Sequence, residues 1–290
     1  MTTSQTRAAW LFLAPSVLVL GTFVVYPIGR ALYLSFTDYS LLRPARWIGT
    51  KNYSAIVSDP AARNAIKNTL LYAAVTTIAS VALALIIALL LNQRFPFRSI
   101  ARSAVFIPFI VSLSIVSIAW SYLLDPDIGL LTYWGSKVGI SAGQGFLVNP
   151  NLAMVSVIVV GIWKYLGFYV VMYLAALQSI PRDLQEAAVM DGAGPVRRFF
   201  NVTWPLLSNQ TMLVAIIATI TNVQAFDQIF VLTQGGPFFR TETLVVMIYR
   251  VGFQNLQFGY AAALSYVLVL ILMIVSLVQV AYFRRKAVQY

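Results

Sequence analysis

The sequence predicts an all-α integral membrane protein with six transmembrane helices and both termini on the cytoplasmic side. Three observations carry this. Of 290 residues, 60% are hydrophobic and 10% charged, against about 25% charged in a soluble domain, so polar surface is too scarce to cover a water-soluble globule. The charges are grouped, leaving long charge-free runs of the length a helix needs to cross about 30 Å of hydrocarbon. The basic residues stand in short clusters flush against those runs, where they set topology.

Other classes fall away on the same numbers. Mean hydropathy of +0.80 excludes disorder. The chain has no Cys and no His, which removes disulfide scaffolds, thiolate and histidine metal sites, zinc hydrolysis and Ser-His-Asp catalysis. No catalytic residue and no metal ligand set is assigned. The formal charge of +11 reads as topology and contact with lipid headgroups. No basic stripe with interleaved aromatics extends far enough to track a nucleic acid.

The spans follow from the gaps between charges. No charge occurs between Arg7 and Arg30, which places the first helix near 9–28. Its apolar run is longer than a signal peptide's core of about 7–15 residues, so it reads as retained, with kinks at Pro15, Gly21 and Pro27. The second helix falls near 69–91, between Lys67 and Arg94, and the third near 104–124, between Arg102 and Asp125. Ser112, Ser114 and Ser117 in the third are expected to bond their own helix. The fourth, near 152–177, contains one charge, Lys164; the fifth, near 206–232, also contains one, Asp227. The sixth lies near 261–283, before the cluster Arg284, Arg285 and Lys286.

That cluster decides orientation. With the N-terminus inside, ten Lys/Arg are cytoplasmic and nine external. The internal ones crowd the helix ends, where the positive-inside rule has most force. The external segments 29–68 and 125–150, the latter with Gly135, Gly139, Gly143 and Gly145, read as short ordered structure. They serve either as a docking surface or as plain connectors.

Residues 178–205 differ in character. Pro181 ends a membrane helix, Asp183 is placed to cap a short helix through Ala188, and Ala187 and Ala188 admit close approach of another surface. Gly192 and Gly194 allow positive φ, Phe199 begins a second amphipathic stretch, and Pro205 opens the fifth span. A short helix across the inner face with a small-residue contact is built to be gripped by a partner.

This segment resembles the EAA loop of permease subunits in binding-protein-dependent ABC importers. The pattern is Glu-Ala-Ala, three residues, Gly, nine residues, then Ile-x-Leu-Pro. Here Glu186-Ala187-Ala188 is followed at that spacing by Gly192 and by Val202-Thr203-Trp204-Pro205, with Trp204 in place of the usual Leu. The longer wording Ile180-Pro181 and Asp191-Gly192-Ala193-Gly194, with Thr233-Gln234-Gly235-Gly236-Pro237, resembles the carbohydrate-uptake branch. That branch includes maltose-type and glycerol-3-phosphate permeases.

The resemblance implies a type I ABC importer transmembrane domain over residues 1–290, in a bacterial cytoplasmic membrane. It also implies a second permease subunit, two cytoplasmic ATPase subunits and an external substrate-binding protein. This chain would bind no cofactor; ATP and Mg would sit on the partner ATPase. Glu186, Ala187, Ala188, Asp191, Gly192 and Gly194 would form the ATPase-coupling contact. Gly161, Lys164, Tyr165, Phe168 and Asn222 match substrate-contacting positions of maltose-type permeases, and the first four share one helix face by their spacing alone.

Polar residues inside a bilayer are costly and each needs a reason. Asn222 and Gln224 either line the substrate path or bond a neighbouring helix. Lys164 lies about 18 Å below the outer end of its span and Asn222 about 15 Å below its own, near the midplane where transporter sites occur. Lys164 is expected to face a wet cavity, as a substrate ligand, or to pair with Asp227. The loop wording leans towards glycerol-3-phosphate or a glycerophosphodiester, with a neutral di- or oligosaccharide as alternative. An ion-coupled secondary transporter is the rival of a different class, and six helices with no paired broken segments argue against it. A membrane enzyme is more distant, because no nucleophile–base arrangement is present.

Overall fold

The computed structural model describes residues 3–93, 95–140 and 145–284. Arg94, Gly143, Arg285 and Lys286, used above for topology and loop character, lie outside the described residues. Among the described residues there is no β-strand, only isolated bridges at Thr37–Trp47 and Ser40–Arg43.

In chain order the helices are α1 Thr3–Leu20, α2 Tyr26–Ser35, α3 Lys51–Ser58, α4 Pro60–Asn92, α5 Arg98–Ile110, α6 Leu113–Leu123, α7 Leu130–Lys137 and α8 Ala153–Ser179. They continue as α9 Arg182–Met190, α10 Pro195–Arg198, α11 Trp204–Leu206, α12 Ser208–Val223, α13 Asp227–Thr233, α14 Leu244–Tyr249 and α15 Phe258–Arg284. Four stretches are long and apolar enough to cross a membrane unbroken: Trp10–Ser35, Pro60–Asn92, Ala153–Ser179 and Phe258–Phe283. Two bent pairs also pass among the described residues, which makes six spans when each pair is counted as one.

The bends are what the charge pattern does not reveal. The expected third helix, 104–124, is two helices: α5 and α6 meet at 100°. Between them Val111 and Ser112 are extended, with ψ of 144° and 134°. Pro108 lies inside α5, where its ring removes a donor and crowds the preceding turn. The expected fifth helix, 206–232, is interrupted twice. Residues 195–206 meet α12 at 66°, and after Val223 the chain leaves the helix until Asp227 starts α13. Asp227 is therefore an exposed acidic residue in a first helical turn, where the macrodipole favours it, rather than a carboxylate buried in mid-span.

Two prolines are each preceded by a widened helical turn. Before Pro27 the chain widens into a π-helical turn at Gly21–Val25, and before Pro205 it does so at Phe199–Thr203. The amide of Tyr26 donates to Gly21 O and that of Trp204 to Phe199 O, five residues back. A proline offers no N–H and collides with the carbonyl four residues earlier; a wider turn just upstream moves that carbonyl aside.

The chain forms two compact units, residues 1–63 with 247–269, and residues 64–246 with 270–290. In the first, Asn52 caps the end of α2: its buried Nδ2 donates to Ser35 O at 2.8 Å and Thr37 O at 2.9 Å. Tyr260 donates to Asp59 Oδ2 at 3.0 Å and Tyr266 to Ile28 O at 2.6 Å. Segment 29–68 is thus ordered, as expected.

In the second unit α4, α8 and α12 bury one apolar core around Ala84, Ala88, Tyr173, Leu177, Val214 and Ala218. Another gathers Tyr72, Val157, Val160 and Ile229. Tyr72 is fully buried, and its hydroxyl accepts from Gln228 Nε2 at 2.7 Å. It fits because residue 161 is glycine: a Cβ there would stand 2.2 Å from the Tyr72 oxygen.

A mid-helix Gly→Ala change ordinarily stabilises by about 1 kcal/mol. Gly161→Ala is expected to do the reverse, costing about 1–3 kcal/mol by overpacking. Tyr72→Phe removes the obstructing oxygen, so thermal unfolding of the double variant should reveal a favourable coupling. Additive losses would show that Tyr72 does not set the requirement for glycine.

Candidate functional site

The loop between α8 and α12 is built from short pieces. Ile180 and Pro181, extended at ψ 123° and 133°, end α8 and launch α9. Asp183 lies in the first turn of α9 and makes no capping bond, so the expected cap is replaced by a favourable charge at the helix start. The helix also runs beyond Ala188 to Met190. At its end the amides of Asp191, Gly192 and Ala193 donate to Ala187 O, Val189 O and Ala188 O, at 2.9, 3.0 and 2.9 Å. This closure needs a left-handed residue, and Gly192 supplies it at φ +74°. Gly194 does not share that conformation: at φ −64° and ψ 168° it is extended and leads into Pro195.

Most of the turn is exposed. Glu186, Ala187, Asp191, Gly192 and Gly194 are exposed, and Ala188 is half-buried. A Cβ at Gly192 or Gly194 would meet nothing within 4 Å. Apolar side chains are uncovered too: Leu184 is 43% exposed, Val189 52% and Met190 87%. Glu186 borders a cleft of about 930 Å³ whose lining includes Arg98, Arg102 and Arg198. Arg102 Nη2 donates to Leu91 O at 2.8 Å, which ties α5 to the end of α4 beside this cleft.

The second group of expected site residues lies on α8. Gly161, Lys164, Tyr165 and Phe168 do share one face, and that face meets the α5–α6 break. Gly161 abuts Tyr72, as described. Lys164 Nζ donates to the carbonyls of Pro108 at 2.9 Å, Phe109 at 2.8 Å and Val111. Phe109 stacks on Phe168 with ring centroids 4.7 Å apart and lies 6.2 Å from Tyr165.

Lys164 is 4% exposed, so the expected wet cavity is not where its charge is stabilised. No Lys164–Asp227 ion pair forms among the described residues either; the ammonium is satisfied by carbonyls that the helix break sets free.

Asn222 is buried and donates from Nδ2 to Thr77 Oγ1 of α4 at 3.0 Å, an interhelical bond. Gln224 is exposed at the end of α12. The sequence reading misses the partners Tyr72, Thr77 and Phe109, which carry no local signal. Pro108 was visible as a proline within a span. Ser117 bonds Leu113 O at 2.8 Å, as expected, whereas Ser112 lies in the break itself. Among the described residues no group of three or more His, Cys, Asp or Glu is placed to hold a metal ion.

Comparison with known proteins agrees with this architecture. Residues 80–288 match the family described as binding-protein-dependent transport system inner membrane component. The chain is 35% identical over 280 residues to the sulfoquinovosyl glycerol transport system permease protein SmoG of Agrobacterium fabrum, covering 96% of this chain and 91% of that protein. It is 30% identical over 279 residues to the sn-glycerol-3-phosphate transport system permease protein UgpA of the same organism, covering 96% and 94%. Its fold matches a chain of a bacterial ABC transporter involved in the import of the acidic polysaccharide alginate. The TM-score is 0.85 at 23% identity, over 97% of this chain and 96% of that one. The same match holds for that transporter in complex with an alginate pentasaccharide-bound periplasmic protein. The chain belongs to the binding-protein-dependent transport system inner membrane component family and is a multi-pass ABC importer permease.

Proposed function

We propose that this permease couples ATP-driven motion of partner ATPases to a solute path through the exposed turn at Glu186–Gly194. The observation that supports this reading is the bareness of the turn. A helix with uncovered Leu184, Val189 and Met190, closed by an unobstructed Gly192, leaves an apolar surface and a glycine turn open to a partner. Its position between α8 and the bent fifth span makes it a lever on both. With the N-terminus inside, this turn is cytoplasmic and two ATPase subunits would grip it; ATP and Mg would be bound by them.

The solute path, in this reading, runs along the α8 face. Half-buried Tyr165 and Phe168 and exposed Gln224 are the groups available to a solute. Gly161, Lys164 and Asn222 shape the wall behind them. One chain cannot enclose a path, so the assembly contains a second permease subunit and receives solute from an external binding protein.

The relatives SmoG and UgpA are named for sulfoquinovosyl glycerol and sn-glycerol-3-phosphate. The solute proposed here is accordingly glycerol-linked, with glycerol-3-phosphate or a glycerophosphodiester favoured over a neutral oligosaccharide.

Gly192→Leu is expected to leave the permease in the membrane while reducing ATPase co-purification and uptake at least tenfold. Gly192→Asn, which tolerates the left-handed region, should be much milder. Full uptake and normal co-purification of the Leu variant would refute the coupling assignment.

Mass measurement of the complex purified from its native membrane should find one copy of this chain with a different permease and two ATPases. Two copies of this chain alone would overturn the heteromer. Titration of the cognate external receptor with glycerol-3-phosphate, a glycerophosphodiester and maltose separates the solute readings. Uptake should follow internal ATP and ignore collapse of the ion gradient; the opposite dependence would indicate a secondary transporter.

A further inference from the structure

The joint between α5 and α6 is where a hydrocarbon environment is least forgiving. The last carbonyls of a helix lack donors from their own helix, and that end carries about half a negative charge. Water cannot make good the loss inside a bilayer. Here Pro108 O, Phe109 O and Val111 O converge on one point at the end of α5, and the Lys164 ammonium occupies it. A lysine has three N–H donors, and all three are used within the chain. The Phe109 ring adds its face, with its centroid 5.7 Å from Nζ. Among the described residues no carboxylate pairs with Lys164, and its side chain is buried. This is the environment of a bound cation rather than that of an ion pair.

Broken membrane helices offer this arrangement to free ions: unwound carbonyls and the negative end of a half-helix coordinate Na⁺ in secondary transporters. The distances of 2.9 and 2.8 Å to Pro108 O and Phe109 O suit an ammonium group. We propose that the α5–α6 joint is a monovalent-cation site which the chain fills from within, the Lys164 ammonium standing where a free ammonium-sized ion would otherwise bind. The tether holds the bend of the third span whatever the ionic composition outside. Removing the tether should convert an ion-indifferent joint into an ion-dependent one.

The inference concerns the chain's own carbonyls, so its test needs no transported solute. The full chain would be purified with Lys164→Ala, and its thermal unfolding compared in chloride salts of methylammonium, ammonium, Na⁺ and bulky N-methylglucamine at constant ionic strength. In N-methylglucamine the variant should melt about 5–10 °C below wild type. About 100 mM methylammonium or ammonium should restore at least half of that loss by mass action. Wild type should not respond, and neither should Lys164→Met, whose side chain fills the space without a charge.

A Lys164→Ala protein as stable as wild type would overturn the proposal, and so would one destabilised equally in every salt. The chain has no native Cys, which permits a second variant should the first not fold. Lys164→Cys alkylated with 2-bromoethylamine carries a charged aminoethyl side chain of lysine length, whereas alkylation with 1-bromopropane gives an uncharged one of the same length. Recovery of the melting temperature only with the aminoethyl group supports a cation site; equal recovery with both overturns it.

Discussion

Within hydrocarbon every backbone N–H and C=O must find a partner inside the protein, and this chain supplies such partners at several of the places where its helices break or end. The partners at the breaks are side chains. Lys164 serves three carbonyls at the end of α5. Asn52 serves two at the end of α2. Asn68 donates to Phe239 O and Glu242 O, both at 3.0 Å, where the chain leaves α13 and turns back. The two π-helical turns before Pro27 and Pro205 solve the same problem by changing the helical register instead. Of the polar residues singled out within the spans, Lys164 and Ser117 serve as backbone partners and Asn222 as an interhelical bond.

The breaks also determine how motion can travel. Helix α8 runs unbroken for 27 residues, about 40 Å at 1.5 Å per residue. Near its middle it grips the α5–α6 joint through Lys164, and at its end it leads into the exposed turn at Glu186–Gly194. Beyond that turn, the chain bends by 66° before α12. A stiff rod between two bends transmits a displacement with little loss, which is the mechanical content of the proposed coupling. The Asn222–Thr77 bond ties α12 to α4, and Arg102 ties α5 to the end of α4, so α4 acts as the frame for both moving parts.

Close packing supports this frame as much as hydrogen bonding does. Gly161 makes room for Tyr72, whose hydroxyl receives Gln228 of α13, so one glycine joins α4, α8 and α13. The stack of Phe109 on Phe168 seals the joint on the side of Tyr165. Without a hydrophobic driving force between helices in lipid, such contacts and interhelical bonds carry the association.

What the sequence determined by itself is the membrane class, the spans and the short helix and turn at Glu186–Gly194. Charge-free length, basic clusters and the Glu186–Pro205 spacing are local or nearly local properties. The closure of α9 at Gly192 was legible for the same reason, since a left-handed turn is a preference of one residue. What only the tertiary structure decided is where the spans break and what their polar residues touch. Pro108 gave no sign of a break, because a proline inside a membrane helix is often absorbed as a kink, and the chain turns there by 100°. Lys164 read as a ligand or half of an ion pair because depth along a helix says nothing about a carbonyl on another helix 53 to 56 residues away in sequence. Buried polar groups are satisfied by whatever long-range packing brings to them, and that partner is written in three dimensions rather than in the neighbouring residues.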